Sequence, residues 1–402
     1  MSLRDEKDPE ILSDYFWFHK LVLKICGVSF KEQENLIYKI YSRFVQCLIG
    51  FLIFGEIYTI ILSRNDLQLM AEIISVSTSH FLGLFKLSVL WKNRASIADA
   101  LNALHTGVFL PNSRRSGLSE KILIKNCITK VYMLIAFHSA TLVATVFNII
   151  GSSLVTKFKF DDYELWKMPW IPFRLFPITT TIVYYTIYVY QTVTLILFAC
   201  IIITTDLMVV AVLVHITTQF HILASVMRTL VENNSVNYIS EQYDLYLRKK
   251  LKYAAYYHQE LIKLTDRFEE LFNMLVLAIF MGNCIVLCFG MYLMSSGELE
   301  LNQLISEFTY LITVVMQIFL YCYYGNMITE ASDAISFACY ETDFVGTDLR
   351  FQKGLLLIMM RSQRPIVLTA GKFAQISLAA FVAILRASYS YFMVIKSSSV
   401  EA

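Results

Sequence analysis

The chain has 402 residues, 56% of them hydrophobic and only 16% charged, with a formal net charge of +2 and a mean hydropathy of +0.55. That composition excludes an ordinary soluble globular domain and directs attention to segments long enough to span a membrane. No P-loop, His-Glu-x-x-His or calcium-loop pattern occurs, and the seven histidines show no metal-ligand spacing, so no enzyme, cofactor, metal or nucleic-acid partner is expected.

The first twenty residues carry too many charges for a cleaved signal peptide, and residues 1–36 read as a cytosolic N-terminal segment. Apolar stretches able to cross a hydrocarbon core of about 30 Å then follow at residues 37–63, 67–91, 127–153, 181–221, 268–294, 305–329 and 366–395. The connections between them are asymmetric. The N-terminal segment and the second, fourth and sixth connections hold 22 Lys and Arg, whereas the other side of the membrane holds six. By the positive-inside rule the N-terminus is cytosolic and, after seven spans, the C-terminus is outside. A G-protein-coupled receptor has the opposite orientation, and its Asp-Arg-Tyr and Asn-Pro-x-x-Tyr motifs are absent.

All eight cysteines fall in spans or on the inner side, so no extracellular disulfide is expected. The sequon Asn233-Asn234-Ser235 lies in the inner fourth connection, where it would not be glycosylated.

No proline occurs between Pro177 and Pro365. A helix from Thr181 to Leu230 would run roughly 75 Å, so its second half must leave the membrane on the cytosolic side. Ahead of the fifth span, Leu247, Leu251, Ala254, His258, Leu261, Thr265, Phe268 and Leu271 recur at steps of three and four, with charged residues on the other faces. This is the pattern of a helix packing along a seam, and it predicts a cytosolic helical layer that could serve in assembly.

The last span mixes apolar, small and polar residues. A stripe at helical spacing runs through Lys372, Gln375, Ala379, Ala383, Arg386, Ser390 and Val394. Ionisable groups at membrane depth usually face protein or water, and small polar residues also mediate helix packing, so pore lining and packing both stay open. One such helix per chain cannot enclose a pore; conduction would require several subunits around a common axis.

The run LLLIMMRSQRPIVLTAGKFAQISLAAFVAILRASYSYFMVI (355–395) resembles the C-terminal signature of insect odorant receptors, with Arg361-Ser362-Gln363-x-Pro365, Ala370-Gly371-Lys372-Phe373 and Ser388-Tyr389-Ser390-Tyr391-Phe392. The stretch MPWIPFRLFPITTTIVYYTIYVYQ (168–191) is similar to that family's second outer loop entering span four. Tyr340 is followed by ETDFVGTD, where the family often has a Trp, and the fourth connection is shorter than in the co-receptor Orco. The chain therefore resembles an odour-tuned subunit.

The resemblance implies an all-α membrane protein of seven transmembrane helices, with cytosolic extensions forming an inner anchor layer. It implies a plasma-membrane protein of olfactory neurons, working as an odorant-gated, non-selective cation channel in a heterotetramer with Orco. The implied organisation is a cytosolic segment (1–36), six spans with the ligand pocket and anchor extensions (37–329), an inner connection with a short inner helix near 351–361 (330–365), a pore-lining helix (366–396) and an outer tail (397–402).

Gln375, Ala383 and Ser390 of the last span's stripe are the candidate pore residues, and by the same resemblance the outer gate lies near Met393, Val394 and Ser398, with Val394 as the hydrophobic constriction. Two placements stay open for Arg386: paired with an acid such as Glu56, or behind the pore. The family's pocket lies in the outer half between spans two, three, four and six. Combined with the orientation, that points to Ile73, Ser77, Phe147, Gly151, Tyr184, Tyr188, Thr192, Phe308, Tyr310 and Val314 as contacts for a small volatile. His80, Lys86 and His138 are expected to be satisfied within the bundle or to snorkel.

Two other classes fit less well. A gustatory receptor usually ends in Thr-Tyr then Gln-Phe, unlike SYSYFMVIKSSS here, and a secondary transporter would show internal repeats and broken half-helices.

Overall fold

In the computed structural model the described residues are 15–31, 34–62, 67–110, 118–159, 180–231, 241–295 and 301–401, with positions 112, 115, 166, 168 and 169. The sequon at 233–235 and the basic residues Arg4, Lys7, Arg64, Arg114, Lys167 and Arg174 lie outside them. The described helices are α1 (Trp17–Ile25), α2 (Leu36–Leu62), α3 (Leu67–Lys92), α4 (Arg94–Ala103), α5 (Leu118–Lys159), α6 (Thr181–Arg228), α7 (Glu241–Ser295), α8 (Leu301–Tyr340), α9 (Leu349–Ser362) and α10 (Leu378–Glu401). A two-stranded hairpin, β1 (Thr369–Ala370) and β2 (Ala374–Gln375), precedes α10. Seven of these helices, α2, α3, α5, α6, α7, α8 and α10, are long and apolar enough to cross a bilayer.

Helices α2, α5 and α7 end, and α3, α6 and α8 begin, at one end of the bundle, the distal end. The short helices α1, α4 and α9 gather at the other, proximal end, where they pack on α6, α7 and α8. Helix α6 is the axis. Thr180 caps its start, its hydroxyl accepting from Val183 N at 3.3 Å, and with no proline beyond Pro177 it runs 48 residues without a break. Every residue from Leu207 to Thr217 is buried, which marks a helix surrounded by protein on all sides. Thr205 and Thr217 turn their hydroxyls onto the carbonyls of Ile201 and Leu213, at 2.6 and 2.8 Å, so neither hydroxyl is left unsatisfied in the apolar centre.

The seam read along α7 is buried from Leu247 to Phe268, with Leu271 half-buried. It is covered by the chain itself. Ile97, Ala100 and Leu101 of α4 face Leu264 and Phe268, and Gly354 of α9 lets Leu251 approach so closely that a Cβ there would lie 2.8 Å from its Cδ2. At the same end α1 is fastened by Tyr15, whose ring centroid lies 4.8 Å from that of His105 and 4.7 Å from that of His215.

The last span departs from expectation. The helix begins at Leu378, not near Ile366, and Lys372 and Gln375 are not on it. Three local features end the apolar run as a helix. Pro365 disfavours helical backbone before it, Gly371 and Lys372 both adopt positive φ (62° and 65°) to turn the hairpin, and Ser377 caps α10 by accepting from Ala380 N at 3.3 Å. The hairpin is pinned to α7: Gly371 N donates to Asn273 O at 3.0 Å, and Thr369 Oγ1 bonds to Glu269.

Candidate functional site

Within the distal half, α3, α5, α6 and α8 stand apart around a cavity of about 420 Å³, with α7 contributing Asn283 and Leu293 and the α5–α6 connection contributing Met168 and Pro169. The lining follows one face of each helix. On α3 it runs Glu72, Ser75, Val76, Ser79, Leu82 and Lys86; on α6, Leu195, Phe198, Ala199, Ile202, Asp206 and Val210; on α8, Gln303, Glu307, Tyr310, Val314, Gln317 and Tyr321. Steps of three and four predominate, with the adjacent pairs Ser75–Val76 and Phe198–Ala199, so each helix shows one stripe. Helix α5 supplies an apolar wall of Leu142, Val146 and Ile149, with His138, Thr145 and Ser153.

The floor is polar and fully engaged. Lys86 Nζ donates to both carboxylate oxygens of Asp206, at 2.7 and 2.8 Å; Gln317 Nε2 and Tyr321 OH donate to the same carboxylate at 2.6 and 3.0 Å. Asn283 Nδ2 of α7 donates to Gln317 Oε1 at 2.9 Å. Three helices thus meet on one carboxylate, and α7 joins them through Gln317. A charged pair at this depth is tolerable only with such saturation, because an unpaired ion in low dielectric costs several kcal/mol.

Nearer the distal end, Ser79 bonds to Tyr310 across the cavity, and Asn148 Nδ2 of α5 donates to Ser306 Oγ of α8 at 2.8 Å. From the edge of the lining His80 bonds to Glu56 of α2, both buried. Glu56 is therefore engaged with His80 and not with Arg386, which is exposed on α10. Lys86 is satisfied within the bundle, and His138 lines the cavity.

Of the ten residues read from sequence as ligand contacts, Tyr310 and Val314 line the cavity. Ile73 and Ser77 are buried on α3 one residue round the helix from the lining stripe. Phe147 and Phe308 face outward, 79% and 54% exposed, and Gly151 has open space where a Cβ would stand. Tyr184 packs edge-on to Trp166 with ring centroids 4.8 Å apart, Tyr188 OH donates to Ile150 O at 3.0 Å, and Thr192 is half-buried outside the lining. The four expected spans do surround the cavity. On α8 two of the three chosen residues lie on the lining stripe and on α3, α5 and α6 none does, since a helix with lipid on one side and a partly apolar cavity on the other shows little polarity contrast.

Asp206, Glu307 and Gln317 escaped the sequence reading. Their signal was present: Asp206 is the one acid between Thr181 and Arg228, and ionisable residues inside apolar spans point to function.

On α10, Ala383, Ser390, Met393, Val394 and Ser398 are all exposed on the single chain, and Gln375 is exposed on β2. The helix leans on α7 by its other side, where Ser388 Oγ donates to Cys284 Sγ at 3.4 Å. Cys284 follows Asn283, so consecutive residues of α7 touch the cavity floor and the last helix.

A model of the 7tm odorant receptor family matches residues 66–389. Odorant receptor 10a of Drosophila melanogaster is 23% identical over 350 residues, 84% of each chain. Odorant receptor 85c of the same fly is 29% identical over 145 residues, and that match spans 37% of its length. Among solved structures, the olfactory receptor OR5 of Machilis hrabei superposes with a TM-score of 0.80 at 15% identity, covering 96% of this chain and 98% of that one; its complex with eugenol gives 0.78. The likeness to OR5 is one of fold, with all seven spans included. With the family model matching most of its length, the chain belongs to the 7tm odorant receptor family.

Proposed function

We propose that the chain is the ligand-tuned subunit of an odorant-gated, non-selective cation channel, assembled with the co-receptor Orco in the plasma membrane. The observation that carries this reading is the cavity: about 420 Å³, closed on its sides by four spans, apolar along its waist and polar at its ends. That is the size and lining suited to a small volatile. The Lys and Arg asymmetry supports a cytosolic N-terminus and makes the distal end the outer one. OR5, of similar fold, was solved in complex with eugenol.

The mechanism we infer is a population shift: a volatile that binds the open arrangement more tightly than the closed one biases the bundle by that difference alone. Helix α7 carries the bias from Asn283 at the cavity floor to Cys284 and Ser388 on α10. The exposed side of α10, with Val394, forms a hydrophobic constriction with its counterparts in neighbouring subunits. Recording from cells that express the chain alone and with the co-receptor, during a screen of volatiles, tests this. A volatile-evoked cation current in the paired cells that survives G-protein block is the expected result. A stimulus-independent substrate flux would reassign the chain to transport.

A further inference from the structure

The distal end of the cavity holds polar atoms that no protein group satisfies. Ser75 lines the cavity and is 1% exposed, yet its Oγ has no hydrogen-bond partner. A serine or threonine inside a helix commonly turns its hydroxyl onto the carbonyl four residues back, as Thr78 does to Ile74 at 2.7 Å; Ser75 does not. Glu307 Oε1 is likewise buried, lining the cavity and unpartnered. It rests over Gly290 of α7, where an added Cβ would come within 3.0 Å of it.

Two contacts set these groups at one height. Ser79, a turn from Ser75, bonds to Tyr310, a turn from Glu307, on helices that run the same way. Leu82, two turns proximal to Ser75, occupies the space beside Gly282. Since α7 runs opposite to α3, two turns back toward the distal end lead to the turn of Gly290, under Glu307.

The charge on the described lining is one-sided. Among the described lining residues the carboxylates are Glu72, Asp206 and Glu307, and the sole Lys or Arg is Lys86, which is held by Asp206 at the floor. Two histidines also line it: His80 is bonded to Glu56, and His138 stands on α5. A carboxylate accepts and cannot donate, and it is matched best by a cationic N–H donor.

We propose that the ligand this cavity selects is a small aliphatic amine, held as its ammonium ion by Glu307 Oε1 and Ser75 Oγ, with its alkyl chain along Leu142, Val146 and Phe198. The inference rests on the cavity being the ligand site of the channel. Cells expressing the chain with the co-receptor are challenged with heptylamine, heptanol and methyl pentyl ketone, matched in length, while surface protein is quantified by labelling. Heptylamine is expected to act at concentrations about tenfold lower than the other two, the scale of one charge-assisted hydrogen bond, and Glu307→Gln should erase that preference at unchanged surface density. Ser75→Ala should weaken heptylamine by about threefold or more, and it decides the matter if Glu307→Gln does not reach the surface. Equal or better potency of heptanol or the ketone overturns the amine assignment and leaves the channel reading standing. Silence to every volatile at normal surface density overturns the channel reading, and the inference with it.

Discussion

Lys86 and Asp206 meet across the bundle from different spans, with Nζ 2.7 Å from one carboxylate oxygen and both side chains almost wholly removed from solvent. Because Gln317 and Tyr321 bond to the same carboxylate, the pair joins α3, α6 and α8 at the cavity floor.

Breaking that pair on one side leaves a buried charge without its partner. Lys86→Met or Asp206→Leu alone should destabilise the fold by about 3–5 kcal/mol, and the double substitution should recover a large part of the loss. Thermal unfolding of the detergent-solubilised protein reads this directly. Additive losses in the double variant would show that the two side chains act independently.

Asn283 and Cys284 are consecutive, and they face the cavity floor and the last helix respectively. Asn283→Leu should shift the agonist concentration–response curve by about 0.5–2 kcal/mol of coupling, roughly twofold to thirtyfold, at unchanged surface density. An unaltered curve removes α7 from the transmission path.

Val394 is 62% exposed on the single chain, as a side chain awaiting a neighbouring subunit would be. Val394→Ala should raise basal current by weakening a dewetted constriction, and Val394→Glu should change ion selectivity. Normal currents from both variants at normal surface density would move the gate elsewhere on α10.

Gly371 adopts a φ of 62° and lies where an added Cβ would come within 2.6 Å of Leu277 Cδ2. Gly371→Ala should therefore cost about 1 kcal/mol or more, through backbone strain and overpacking, seen as a lower melting temperature. An unchanged melting temperature would mean that the hairpin turn yields freely.

How much of this was legible in the sequence depended on contrast. The α7 seam could be read because Arg248, Lys249, Lys250 and Lys263 mark the opposite faces, and the described structure buries Leu247, Leu251, Ala254 and Leu261. Inside the spans that contrast vanishes. Phe308 faces outward and Val314 faces the cavity, six residues apart on one helix, with nothing in their chemistry to separate them. The start of the last helix was hidden by hydropathy, which merged Ile366–Ile376 with the span although Pro365, Gly371 and Ser377 punctuate it. The cavity floor was within reach, since Lys86 and Asp206 are isolated charges of opposite sign in apolar helices. What could not be read was that they meet, because they stand 120 positions apart in the chain.

The most direct test of the account is to fill the cavity. Ala199 lines it on α6, one residue from Phe198, and Ala199→Trp would place an indole in the ligand's space. The measurement is the concentration–response of the strongest volatile agonist on cells expressing this variant with the co-receptor, normalised to surface-labelled protein. The account predicts loss of the response, or a shift of about a hundredfold or more, with surface protein retained. An unshifted response from the filled cavity would contradict it.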